Sequence, residues 1–190
     1  MKRLLLIFAL LSATLAQAAV EVAGVKFDDK ARLGNTELAL NGAGLRSRFI
    51  IKVYAVGLYL PQKAASVAEA LALKGPARLH VVALRELPAE DFANALVEGI
   101  HRNHTDAENE QMKPRVEEFK GIILAQKPAT KGTVLTLDWL PESGTRLSID
   151  GKAQGQDIAG DDFYRALLKI WLGAKPAQDD LKYALLGQGR

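Results

Sequence analysis

The chain has 190 residues, 25 of them basic and 22 acidic, and no cysteine. That length suffices for one domain with a full core. The missing cysteines exclude disulfide staples and thiol chemistry, so packing alone must hold the fold.

The first eighteen residues read as a secretory signal peptide. Lys2 and Arg3 form a basic start, Leu4 to Leu11 an apolar run, and Ala16-Gln17-Ala18 a small-x-small cleavage site. The run is shorter than the ~20 residues that span a bilayer. The expectation is an exported single domain over residues 19–190, with no integral membrane segment once the signal is removed. Without Lys2 and Arg3 the balance is 23 basic to 22 acidic residues. Such a near-neutral chain gives no reason to expect nucleic acid or an anionic membrane surface as partner.

"VEVAGVKFDD" alternates apolar and polar residues and predicts a strand or short hairpin. "TELALNGAG", from Thr36, predicts a second strand. Its glycines, Gly42 and Gly44, are places where the backbone can bend or take a positive φ. Phe49 to Leu60 is the longest predicted strand and stops at Pro61. "SVAEALALKG" predicts a short helix, with Ser66 as cap, Glu69 completing a capping box and Gly75 beyond its end. "ARLHVVALRE" is a strand. Pro88, with Glu90 and Asp91, opens a helix through "PAEDFANALVEGIHRNH", where Phe92, Leu96 and Ile100 make an apolar stripe.

A third helix is predicted over Asp106 to Gln126, capped by Thr105. Val116, Phe119, Ile123 and Leu124 form its buried side, and Pro114 argues for a kink or a fresh start. "GTVLTLDWLPESGTRLSIDGK" predicts an antiparallel hairpin that turns at Glu142 to Gly144. Asp150-Gly151 is a second turn into "AQGQDI". "GDDFYRALLKIWLG" is helical, with Phe163, Leu167, Ile170 and Trp171 on one face. Pro176 begins a last helix. Strands and helices come in blocks rather than in βαβ units, which predicts an α+β domain with helices covering an antiparallel sheet.

The common chemistries find little support. His101 and His104 could share a helix face, with Glu108 nearby, but a third ligand at helical spacing is missing, and no metal site is expected. No phosphate loop, dinucleotide fingerprint or G-x-S-x-G elbow is present, and no cofactor is expected. Glu117-Glu118 and Asp161-Asp162 read as solvated or helix-start carboxylates.

What remains is "GAGLRSRFIIKVYAVGLYLP", Gly42 to Pro61. In an extended chain Arg46, Arg48, Lys52 and Tyr54 share one side with Ile50, Val56 and Leu58. Two readings stand level: a face solvated at one end, with lysine reaching water along its stem, or an apolar cleft with a cationic, hydrogen-bonding end.

These residues, with "LNGAGLRSRFIIKVYAVGLYLP" and "DFYRALLKIWLG" as the matching stretches, resemble the chalcone isomerase-like superfamily, in particular its exported bacterial branch. The resemblance runs from about Val20 to Leu186. It implies a periplasmic protein of chalcone isomerase-like fold, an antiparallel sheet with a layer of helices packed on one face and a ligand cleft between. It also implies that Arg46 matches an arginine that stabilises phenolate and enolate in the plant isomerases. Tyr54 stands where those enzymes have a threonine and where the fatty-acid-binding relatives have a tyrosine. Phe92 replaces an active-site tyrosine, Gly99 an asparagine, and Ile170 a serine or threonine.

The implied function is binding of a small amphipathic, fatty-acid-like acid without catalysis, with Arg46, Tyr54, Phe92, Gly99 and Ile170 lining the cleft. Two alternatives are an isomerase of the intramolecular lyase type, with Arg46 and Tyr54 catalytic, and an interaction protein with a vestigial cleft. A carboxylate clamp places one demand on the chain. Along an unbroken strand Arg46 and Tyr54 would lie about 26 Å apart at ~3.3 Å per residue. A turn or sharp bend is therefore expected between Gly44 and Phe49.

Overall fold

The computed structural model describes residues 19–72 and 74–189. The signal peptide expected over residues 1–18 lies outside them. Strands β1 (Val20–Val22) and β2 (Val25–Phe27) form a separate two-stranded hairpin. Its turn residues, Ala23 and Gly24, both have positive φ, which matches the twist of a tight hairpin.

The main sheet is a seven-stranded antiparallel meander in chain order. It comprises β3 (Lys30–Leu33), β4 (Thr36–Arg48), β5 (Ile51–Leu60), β6 (Ala77–Ala83), β7 (Val134–Leu140), β8 (Gly144–Ile149) and β9 (Lys152–Ile158). The short β3 was not foreseen, because its four residues, Lys30 to Leu33, carry two charges and too little alternation to read as a strand. The helices are α1 (Val67–Ala72), α2 (Ala89–Arg102), α3 (Asp106–Leu124), α4 (Asp161–Leu172) and α5 (Asp179–Leu185). The α+β class and the layered architecture agree with the sequence reading.

Period-two alternation sorts the strands into two faces. Val56, Leu58, Leu79, Val81, Leu135, Leu137 and Leu147 pack with the helices in the larger core. Phe27, Leu38, Leu40, Ala55 and Tyr59 form a smaller core on the other face, with Val22 and Val25 of the hairpin packed against it. Each face of β5 is thus covered, which explains its nearly continuous apolar sequence. Helix α4 is buried on more than one side, including Phe163, Tyr164, Ala166, Leu167, Leu168, Ile170, Trp171 and Leu172. It touches α1, α2, α5 and the sheet, so a single stripe underestimates what it buries.

Several local expectations are corrected. Gly42 and Gly44 neither end β4 nor take positive φ; β4 runs through them for 13 residues, with a register shift just before Gly42. Their role is to admit α5. A Cβ on Gly42 would collide with the Ala184 carbonyl, and one on Gly44 would come within 2.8 Å of both Leu181 and Ala184 side chains. The strand predicted from Phe49 begins at Ile51, because Phe49 and Ile50 form the β4–β5 turn.

Thr105 caps α3 with a full capping box to Glu108, as its sequence indicates. Pro114 lies inside α3 without dividing it. The carbonyl it leaves unbonded is that of the exposed Glu110, which water can satisfy. Leu124, placed on the buried side by its spacing, is 44% exposed at the helix end. The last helix starts at Asp179, three residues after Pro176.

Asn41 sits at a register shift of β4 and is 5% exposed. Its amide donates to the Ala64 and Leu185 carbonyls at 3.0 and 2.7 Å, and its oxygen accepts from the Ala64 N–H at 2.6 Å. It ties β4 to the loop before α1 and to the end of α5. Through it and the glycine pair, β4 and α5 are held as one unit, and the candidate site lies beside them.

Candidate functional site

The bend needed to bring Arg46 and Tyr54 together exists, slightly later in the chain than expected. Strand β4 continues to Arg48, Phe49 and Ile50 turn, and β5 returns. Arg46 and Tyr54 are then direct antiparallel partners. Residues so paired have Cα atoms about 4.5–5.5 Å apart and side chains on one face. That face is the helix side, since Gly44 and Val56 are the next pair of this set. A register shift follows Arg46, so that Lys52 pairs with Ser47 and Arg48 with Ile51. Arg48 and Lys52 are exposed. The four polar residues therefore do not share one straight strand face; the turn and the irregularity separate Arg46 and Tyr54 from Arg48 and Lys52.

Arg46 is half-buried. Its Nη1 donates to the Ser47 carbonyl at 2.7 Å and to Gln178 Oε1 at 3.2 Å. Gln178, the residue before α5, also accepts from the Ser47 N–H at 2.9 Å and donates to the Leu45 carbonyl at 3.3 Å. Gln178 thus serves the backbone groups of β4 at its irregular point and steadies the guanidinium. A guanidinium has five N–H donors in a fork that fits a carboxylate, and Nη1 alone is engaged here among the described residues.

The Tyr54 hydroxyl accepts from Trp171 Nε1 at 2.9 Å. Burial of the phenol pushes its ionisation above the ordinary tyrosine value, against the opposing pull of the Trp171 hydrogen bond and the Arg46 charge. Tyr54 is therefore a neutral phenol whose own proton is available to donate. Two donors, one cationic and one neutral, stand side by side on the helix face of the sheet.

The other three candidate residues are arranged differently. Gly99 on α2 and Ile170 on α4 touch: a Cβ on Gly99 would lie 2.7 Å from Ile170 Cγ2. Ile170 is 5% exposed and fills the space that a side chain at position 99 would take. Phe92 is half-buried on α2 and lines a cavity of about 20 Å³ with Leu87, Ile123, Leu135 and Leu147. A second cavity, about 120 Å³, lies by α1 and α4 among Leu60, Ala70, Trp139, Tyr164 and Leu168. Neither is lined by Arg46 or Tyr54. The structure brings together Arg46 with Tyr54 and Gly99 with Ile170, the two pairs being linked through α4 by Trp171. It does not place Phe92 with them in one open cleft; close helix packing fills the room that the sequence reading allotted to ligand.

Trp171 and Gln178 were missed as members of the site. The signal for Trp171 was present, because a buried indole N–H requires an acceptor. Gln178 carried none, since a glutamine before a short helix is a common surface residue.

Among curated proteins no sequence match was found. Among solved structures, the fold is similar to that of the Arabidopsis thaliana fatty-acid binding protein AtFAP1, with a TM-score of 0.67 at 16% identity, covering 89% of this chain and 96% of that one. The chalcone isomerase-like profile matches residues 19–187. The chain described here, with its helix-covered antiparallel meander, belongs to the chalcone isomerase-like family.

Proposed function

We propose that Arg46 and Tyr54 hold the anionic head of a small amphipathic acid of fatty-acid type, which the protein binds without transforming it. The observation that carries this is the state of Arg46. Arg78, Arg102, Arg115, Arg146 and Arg165 are each ion-paired to a carboxylate. Arg46 is half-buried beside a phenol, and its hydrogen bonds go to neutral oxygens. A partly desolvated cation with unspent donors attracts a carboxylate more strongly than an exposed one does. The likeness to a fatty-acid binding protein supports the same class of ligand.

Calorimetry with dodecanoate and oleate tests the reading. The expected result is saturable binding that weakens roughly 10- to 100-fold in Arg46→Ala, the worth of a charge-assisted pair. Equal affinity of the two proteins would overturn it.

A second reading has its own observation. Ile170 packs into the space beside Gly99, as expected of an interaction protein with a vestigial cleft. That reading predicts no fatty-acid binding at all in the same titration. An isomerase of the intramolecular lyase type would draw on the same two donors, but Phe92, Gly99 and Ile170 add no side-chain donor to stabilise an enolate. Turnover of a chalcone that falls in Arg46→Ala would favour it.

Export to the periplasm is part of the proposal and rests on residues 1–18 as a cleavable signal. Cell fractionation with N-terminal sequencing should find a chain that begins at Ala19.

A further inference from the structure

The β4–β5 turn presents two large apolar side chains to solvent. Phe49 is 94% exposed and Ile50 96%, and Ile51 beside them is 48% exposed. Phe49 also has a φ of 55°, a conformation that favours glycine and is costly for a bulky residue. A turn needed only to reverse the chain would carry glycine or asparagine here. The tip accepts backbone strain and water-exposed apolar surface together, and nothing within the described chain compensates for either.

The charges nearest the tip along the hairpin are basic. Arg48 and Lys52 flank it directly, both exposed. The antiparallel meander brings further segments to the same end of the sheet. Leu84 N–H bonds to the Val53 carbonyl, Gly132 N–H to the Ala83 carbonyl, and Asp150 N–H to the Val134 carbonyl. These segments carry exposed Arg85, Lys131 and Lys152, against the carboxylates Glu86 and Asp150. Asp150 accepts from the Val134 N–H, so part of its charge is spent within the fold. Basic charge is thus concentrated at the apolar tip itself, in Arg48 and Lys52, while the exposed Asp179 and Asp180 of α5 lie beside the Leu45–Ser47 stretch below it.

We propose that this end of the sheet docks on an anionic lipid bilayer. Phe49 and Ile50 enter the interface, and Arg48 and Lys52 lie at the level of the anionic headgroups. Apolar area and basic charge act together in such binding, and each alone is weak. A second copy of the chain is a poorer occupant, because two such tips would bring like charges together. The proposal does not depend on the Arg46–Tyr54 reading. Docking would, however, set that pair on the hairpin that meets the membrane.

The test is co-sedimentation of the purified protein with vesicles of phosphatidylglycerol and phosphatidylcholine in equal parts, and with phosphatidylcholine alone, without any added fatty acid. The expected result is binding to the mixed vesicles that weakens as salt is raised. The double variant Phe49→Gly/Ile50→Ser should bind roughly tenfold or more weakly, in line with the apolar area removed. It should be as stable as the parent or more so, since glycine suits the turn. Arg48→Gln/Lys52→Gln should lose binding to mixed vesicles and leave the phosphatidylcholine result unchanged. Equal binding by the parent and Phe49→Gly/Ile50→Ser would overturn the proposal. So would absence of parent binding, or a parent dimer in light scattering that this variant dissociates.

Discussion

Arg46 and Tyr54 are eight positions apart in sequence and neighbours in space, and their chemistry follows from what each lacks. Arg46 lacks an ion-pair partner among the described residues, and Tyr54 accepts a hydrogen bond but has no acceptor there for its own proton. A second contact, between Gly99 and Ile170, fills the space between α2 and α4. Gly99→Ala places a methyl group 2.7 Å from Ile170 Cγ2 and should destabilise by about 1–3 kcal/mol through overpacking. Ile170→Ala should also destabilise, by about 2–4 kcal/mol through the cavity it leaves. Combined, they should cost less than their sum, because the new methyl occupies part of the new cavity. Urea denaturation of the four proteins measures the coupling; strict additivity would show that Gly99 and Ile170 do not compete for one space.

At the scale of elements, the β4–β5 hairpin does the most. Its outer end presents apolar and basic residues, its middle sets Arg46 against Tyr54, and its inner glycines admit α5. Helix α3 shows the opposite economy. It is fixed at one end by the Thr105–Glu108 capping box and tolerates a proline at its centre. Since Pro114 removes one helical hydrogen bond from an exposed stretch, Pro114→Ala should stabilise the protein by about 1–2 kcal/mol, after allowance for a freer unfolded chain. A rise in the thermal midpoint checks this, and a fall would mean that the proline is needed for how α3 packs on α2 and β9. On the outer face, β6 to β9 carry a ladder of alternating charge. Arg78 grips Asp138 with two bonds of 2.7 Å, Arg146 lies opposite Asp138 in register, and Arg146 pairs with Asp157. That ladder explains how a strand as central as β7 carries a buried aspartate at 3% exposure.

For the whole molecule, two ion pairs, Arg146–Asp157 and Arg115–Asp162, contribute to the behaviour in acid. The Arg146 hydrogen bonds hold the Asp157 carboxyl below its ordinary value of 3.8, burial opposing, and the Arg115 hydrogen bonds do the same for Asp162. The unfolded chain therefore binds these protons at a higher pH than the folded one. The stability they contribute is present above about pH 4 and is lost as pH falls through the depressed folded values. Asp157→Asn and Asp162→Asn should each flatten the stability profile below pH 4, as read by urea midpoints across pH. An unchanged slope in both would show that other carboxylates govern acid unfolding. Both variants should keep any fatty-acid binding, because neither residue touches Arg46 or Tyr54.

Periodicity, caps and turn residues were enough to place most strands and helices and the α+β class. The capping box at Thr105, the Asp150-Gly151 turn and the alternation of β7 are local signals, set by neighbours along the chain. The site was legible as a pair of residue types, Arg46 and Tyr54, but not as a geometry. Sequence spacing gave about 26 Å for a straight strand, and only the turn at Phe49-Ile50 makes the two residues cross-strand partners. The same turn exposes two apolar residues that the sequence placed at the start of the longest strand. Likewise, the glycines at 42 and 44 announced freedom of backbone, yet what they provide is room for α5, as Gly99 provides room for Ile170. Amino-acid order alone determined which segments are extended and which are helical, since those preferences act over a few residues. Which side chains meet, which space is filled and what surrounds Arg46 were decided by packing between elements far apart in the chain.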